Sequence, residues 1–399
     1  MTRRERTANA FEALQSFGLV VLLVSLPYSE GLKNTGVALS LVGFVGKTLL
    51  GRAPRFADPA TAWALAVYVA ANFLSYALAE PAFQRPHELS TVVLTTAPFF
   101  LAADACRRPS RALLFTWAIL IGALVASVTG YWSYLTGHVE RLALTSIENP
   151  VPAAEYLGIA FAVSLTLLRV ELRSAVAGPL LILSTGFAAI SLAMTRSRGG
   201  LLGAVVAVAV ILAASLRRKR YAVVALIVVA VAVTGFAATH PNSRLFVGRN
   251  IVARLETWGR SAELVAERPL TGHGPGIYWQ LGVTFTDHEG DEHQLNAHNS
   301  LLHAATESGL VGAGALAAFL VLALRAAVRS ARAAKYAVER AVAIGALAGL
   351  AASIVAGLTA VSTDAEPGIL MYALAAIGTA GGAASRVQRR THGADGGGR

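Results

Sequence analysis

Six of the nine histidines stand between His240 and His303, and one of them, His298, opens the last long hydrophobic region with Asn299 and Ser300 beside it. An imidazole, with a reference pKa of about 6.5, can act as general base near neutrality where a polar segment enters a membrane. The same residues suit a plainer role, a polar helix start that satisfies the free N–H groups of a first turn. Arg196 and Arg198 lie in Thr195-Arg196-Ser197-Arg198-Gly199-Gly200, a very short turn between two apolar runs. Cations so placed mark a ligand pathway or snorkel from a helix end. Glu307, roughly two to three helical turns past His298, can orient a substrate hydroxyl, or the histidine if the helix is broken there, or is an interfacial carboxylate at a helix end. His288, Glu289, Asp291, Glu292 and His293 put many potential metal ligands into a short span. Their spacing fits no metal-binding signature, and a solvated acidic loop accounts for them.

The chain that must position these groups has 399 residues, of which 55% are hydrophobic and 14% charged, with a mean hydropathy of +0.57. Soluble domains carry about 25% charged residues, so the composition argues against a water-soluble fold. Apolar runs long enough to cross roughly 30 Å of hydrocarbon recur along the chain. They predict an all-α membrane protein of about twelve transmembrane helices, at 11–28, 31–49, 60–79, 91–105, 112–135, 151–168, 176–194, 200–216, 221–238, 299–324, 341–361 and 368–384. The expected organisation is nine membrane helices over residues 1–238, one large extracytoplasmic loop over 239–297, three more helices over 298–385 and a cytoplasmic tail over 386–399. Arg3, Arg4 and Arg6 precede the first apolar run as in a secretory signal peptide. Glu12 and Gln15 interrupt that run, and no A-x-A-like cleavage site follows Leu26-Pro27, so it reads as the first membrane helix.

Placing both termini inside puts 24 of the 34 Lys and Arg on the cytoplasmic side, as the positive-inside rule requires. Arg196 and Arg198 then fall on the outer side, against the rule. In the long loop Ile251, Leu255, Trp258, Ala262 and Val265 recur at helical spacing, with Arg254, Arg260, Glu263 and Glu267 largely on other faces. They predict an amphipathic helix, suited to a membrane surface, that ends at Pro269 before a flexible Gly272-His273-Gly274-Pro275-Gly276 turn. The lone Cys106 excludes an intramolecular disulfide and any multi-cysteine metal site.

His298-Asn299, nine intervening residues, then Gly309-Leu310-Val311-Gly312 resembles the signature of the O-antigen ligase and O-antigen polymerase superfamily: His, then Asn, Ser or Gln, nine residues, Gly, two residues, then Gly, Thr or Tyr. Three other segments resemble the same family and follow its order: Thr195–Gly200, Arg254-Leu255-Glu256-Thr257-Trp258, and Pro269-Leu270-Thr271-Gly272-His273-Gly274-Pro275-Gly276. Together they cover roughly residues 145–325. The resemblance implies a GT-C-like fold and a metal-independent, inverting glycosyltransferase without a cofactor. Its donor would be a glycan on undecaprenyl diphosphate, and its acceptor hydroxyl would lie on lipid A-core or an equivalent glycan. The setting would be the outer face of a bacterial cytoplasmic (inner) membrane, in lipopolysaccharide and cell-envelope synthesis. It implies that His298 is the base and that Arg198 and Arg254, with Arg196 as second choice in the same turn, bind the diphosphate. Asn299, Glu307, Gly309 and Gly312 would support them.

Arginine's planar fork suits two phosphate oxygens at once, which agrees with that assignment. A secondary transporter is disfavoured, because no internal repeat is visible and the large polar segment lies between the ninth and tenth runs. A purely structural membrane protein leaves the misplaced arginines unexplained. Within the family, the complete His-Asn signature and compact loop favour a ligase over a repeat-unit polymerase. Nothing in the chain points to nucleic acid.

Overall fold

The computed structural model describes residues 1–137, 140–215, 249–280, 284–286, 292–294, 297–363 and 365–380. Among them the chain forms twelve α-helices. The first eight are α1 Arg3–Ser25, α2 Glu30–Leu49, α3 Pro59–Leu78, α4 Pro86–Ala105, α5 Pro109–Thr136, α6 Pro150–Glu171, α7 Ala177–Met194 and α8 Arg198–Ser215. They are followed by α9 Arg249–Glu267, α10 Ser300–Ala333, α11 Ala337–Ala356 and α12 Ala365–Thr379. α3, α4, α5 and α6 each begin at a proline, whose missing N–H costs nothing in a first turn. At the start of α1, Thr2 and Glu5 cap one another's backbone N–H groups.

Among the described residues eight helices, α1, α3, α5, α6, α7, α8, α10 and α11, are long and apolar enough to cross a membrane. The chain is a multi-pass membrane protein, with the helical backbone satisfying its own polar groups as a bilayer demands. α2, α4 and α12 coincide with three further expected spans but fall short of that standard. α2 carries Glu30, Lys33 and Lys47, α4 carries Glu88 and Asp104, and α12 has only 15 residues. The expected run at 221–238 lies outside the described residues.

α6 is the most enclosed of the eight and packs against α7, α8 and α11. α10 packs on α3 and α11, and α12 on α4. One end of the bundle gathers paired charges. Glu12 of α1 meets Arg52 and Arg111, each at 2.9 Å, while buried Lys47 of α2 pairs with buried Asp104 of α4, which also faces Arg107. Pairing is what makes such burial tolerable, since an isolated ion would carry a large desolvation cost. The opposite end holds the first turns of α8 and α10, with α9 docked on α10.

One expectation is corrected here. The apolar stripe of α9 is split: Leu255 and Ala262 are exposed, whereas Thr257, Ser261 and Leu264 are buried. A polar face can turn inward because it is hydrogen-bonded there: Ser261 Oγ donates to the Thr257 carbonyl at 2.7 Å and lies 2.8 Å from the Tyr278 hydroxyl. The segment 239–297 also contains a short antiparallel pair, β1 Thr284–Thr286 and β2 Glu292–Gln294, with Thr284 opposite Gln294. Thr and Phe favour such extended backbone.

Candidate active site

The turn between α7 and α8 is built by its own hydroxyls. Thr195 Oγ1 donates to the Leu192 carbonyl at 2.7 Å and accepts the Ser197 N–H at 3.2 Å, and Arg141 Nε donates to the Thr195 carbonyl at 2.9 Å. Arg196 sits in the left-handed region at φ +52°, a conformation costly for a non-glycine residue. Gly200 seats the start of α8 against α6, for a Cβ there would stand 2.4 Å from the Ala154 Cβ. Arg196 is exposed on this turn, and Arg198, half-buried, is the first residue of α8. A cation at a helix N-terminus opposes the macrodipole instead of complementing it.

α9 brings a second arginine to the same place. Trp258 Nε1 donates to the Ala297 carbonyl at 2.8 Å, which ties α9 to the residue just before His298. Arg254 is one turn earlier on the same face, half-buried, and near enough to Arg198 for the two charges to repel. Burial holds the Arg254 guanidinium below its ordinary pKa. Among the described residues, neither Arg198 nor Arg254 forms a salt bridge with a carboxylate. Two partly buried cations and a helix N-terminus therefore converge on space suited to a multiply charged anion.

His298 lies close enough to Arg254 for that charge to act on it. The capping role belongs to its neighbour: Asn299 Oδ1 accepts the N–H groups of Leu301 and Leu302, both at 3.1 Å. His298 is thereby free of helix-start duty and takes a left-handed backbone at φ +44°. Burial, then the charge of Arg254, then that of His303, push its pKa down to about 4. The imidazole is neutral at pH 7, the form that can accept a proton. Ser300 fixes the strand of chain that follows, its N–H donating to the Gly357 carbonyl at 2.8 Å and its Oγ accepting from Ser362 N–H at 2.9 Å.

Within the expected span 299–324, α10 is interrupted at Ser308 and Gly309, whose dihedrals are not helical. The Pro269–Gly276 segment threads the break and takes the backbone groups it frees. Leu310 N–H donates to the Pro269 carbonyl at 2.7 Å, His273 N–H to Thr306 at 3.0 Å and Gly274 N–H to Glu307 at 3.0 Å. Gly309, at φ +69° and ψ −177°, occupies a region essentially reserved for glycine. A Cβ there would also lie 2.3 Å from the Leu270 carbonyl carbon, and one on Gly272 would lie 2.3 Å from the Glu307 carbonyl oxygen. Gly312 sits one turn beyond, beside Ser308 and 3.6 Å, at its Cβ position, from Ala71 of α3.

Glu307, buried beside the break, turns its Oε1 to two partners, Gly276 N–H at 2.7 Å and His303 Nε2 at 3.3 Å. His303 stacks on Tyr278 with ring centroids 5.0 Å apart. Glu307 is a sequence candidate, whereas His303 and Tyr278 are not evident from sequence as part of the site. The available signal is the His-Glu spacing of four, which places both on one helix face. Of the acidic segment, His288, Glu289 and Asp291 lie outside the described residues, and Glu292 and His293 fall in β2. No group of three or more metal-ligand side chains occurs among the described residues.

Residues 183–317 match the family model described as O-antigen ligase. That segment, about a third of the chain, is similar to the O-antigen ligase family. It spans most of α7, all of α8 and α9, and the first half of α10, so it contains Arg196, Arg198, Arg254, His298, Glu307 and both signature glycines. None of the curated proteins compared with the chain matches it. The matched segment thus coincides with the cationic end of the bundle, and the remaining helices brace it, α6 beneath α8 and α3 beside α10.

Proposed function

We propose that this protein moves a glycan from an undecaprenyl-diphosphate carrier to an acceptor hydroxyl on the outer face of a bacterial cytoplasmic membrane, in the manner of an O-antigen ligase. The observation that carries the reading is the convergence of Arg198, Arg254 and a neutral His298 at one mouth of the bundle. The guanidinium forks hold the donor diphosphate and stabilise the charge that grows on it as the anomeric C–O bond breaks. His298 takes the acceptor proton as that oxygen attacks the anomeric carbon from the opposite face, which inverts its configuration. Two fixed cations supply the charge stabilisation at the leaving group, so no metal or other cofactor enters the scheme. Lipid A-core is the acceptor that ligase chemistry favours, and a repeat-unit polymerase would use the same site. The species that accumulates in a deletion strain, lipid-linked polymer or single unpolymerised units, separates the two.

Donor binding and turnover, measured separately in nanodiscs, test the site. Arg198→Lys keeps the charge and loses the fork, so donor affinity should fall, though less than in Arg198→Ala. His298→Ala should bind donor nearly normally and transfer about 10²–10⁴-fold more slowly, the range for loss of a general base. Wild-type turnover in folded His298→Ala would refute the base assignment.

A further inference from the structure

A base held to a pKa of about 4 binds a proton only weakly, and a second imidazole, that of His303, lies close to His298. His303 is the fourth residue of α10, five positions after His298, which itself precedes the helix, and is near enough for its charge to act on that ring. Its side chain is only 12% exposed. Two contacts fix it, and one of them is itself anchored. Tyr278 stacks on one face at an interplanar angle of 11°. The Tyr278 hydroxyl, which burial keeps protonated, donates to Thr306 Oγ1 at 2.9 Å and lies 2.8 Å from Ser261 Oγ, so the stacking ring cannot swing away. Glu307 Oε1, at 3.3 Å, faces Nε2 and assigns the N–H tautomer to that nitrogen, leaving Nδ1 as the acceptor.

The carboxylate is held as firmly as the ring. Its Oε1 also takes the Gly276 N–H, and its carbonyl accepts both Gly274 N–H and Ser75 Oγ. The break in α10 and the loop that threads it thus have one shared outcome, a Glu307 carboxylate fixed behind His303.

We propose that His303 and Glu307 form a proton-accepting dyad behind His298, resting on the glycosyl-transfer reading of the site. In the step, the acceptor O–H bond breaks and its oxygen bonds to the anomeric carbon. The C–O bond to the diphosphate breaks, and its electron pair leaves with the phosphate. The proton passes through His298, directly or by one water, to His303 Nδ1, where the imidazolium formed is stabilised by the Glu307 carboxylate. Release to solvent or to the departing diphosphate resets the dyad. No other reactant is needed. The arrangement is the nucleophile-side logic of a base backed by an oriented carboxylate, carried by two histidines.

Glu307→Gln isolates this role. The oxygen that serves both Gly276 and His303 is the same Oε1, so a glutamine amide oxygen can keep both contacts, with the loop seated, while the negative charge is lost. The expected result is a thermal midpoint and donor affinity close to wild type with kcat down at least about tenfold. Glu307→Asp, which keeps the charge on a shorter arm, should recover part of that loss. His303→Gln, which fills the ring's place without a titratable group, should match Glu307→Gln. If Glu307→Gln and His303→Gln fold, bind donor and turn over at the wild-type rate, the dyad is refuted and the pair only ties loop to helix. His298→Ala, run alongside, distinguishes that result from failure of the transfer reading. A dead His298→Ala beside active dyad variants leaves the transfer site standing, whereas three variants at full rate would remove both.

Discussion

At the scale of single residues, the site depends on which imidazole carries a proton. His298 is held down to about 4, first by burial and then by Arg254 and His303. A general base is lost only as pH falls through its pKa, so kcat/KM, which reports the free enzyme, should stay level through pH 6.5 and decline near pH 4. Arg254→Gln removes the second cause and leaves the first. The His298 titration, followed by NMR of the imidazole, should move upward yet stop short of 6.5. A wild-type midpoint at 6.5 would count against an enclosed base beside a cation. His298, Asn299 and Arg198 were legible in the sequence because their types are out of place in apolar surroundings. His303 was not, because a histidine among Leu302, Ala304 and Ala305 acquires meaning only from Tyr278, 25 positions earlier, and from the carboxylate one turn on.

At the scale of elements, hydrophobic length revealed most helices, since a bilayer leaves the backbone little alternative to α-helix. Charged ends blurred α2 and α4, whose Lys47 and Asp104 are tolerated only because each answers the other. The break in α10 was the harder feature. A glycine within a helical run reads as a mild defect, and only the loop crossing at Leu270 explains why no side chain fits at Gly309. Gly309→Ala should therefore be damaging twice over. It forces an L-residue into a glycine-only backbone at about 1–3 kcal/mol, and it pushes Leu270 and the threaded segment away from Glu307. Gly314, a few residues on in the same helix and with open space at its Cβ position, is the control. Gly314→Ala should be neutral or stabilise by roughly 0.5–1 kcal/mol. Thermal unfolding in detergent with a transfer assay checks the pair. Equal behaviour of the two variants would mean that the break does not position the site.

At the scale of the whole molecule, the two ends of the bundle differ in how their cations are used. At one end Lys47, Arg52, Arg107, Arg111 and Arg329 each meet a carboxylate, within 2.7–3.4 Å for the four arginines. At the site end Arg198 and Arg254 instead face each other and a histidine. The positive-inside rule assigns the first end to the cytoplasm, because it governs short loops near helix ends and those loops are where most Lys and Arg lie. Five basic residues in the segment 239–297 do not oppose this, since long loops translocate largely regardless of charge. Reporter fusions after Arg55, Arg111 and Arg220 should then read as cytoplasmic, and one at Gly290 as exterior. The Gly290 fusion is the decisive one. An exterior signal sets Arg198, Arg254 and His298 on the face where a flipped lipid-diphosphate glycan would be met. A cytoplasmic signal there would turn the molecule over, leave the arginines facing the wrong compartment for such a donor, and overturn the transfer assignment together with the topology.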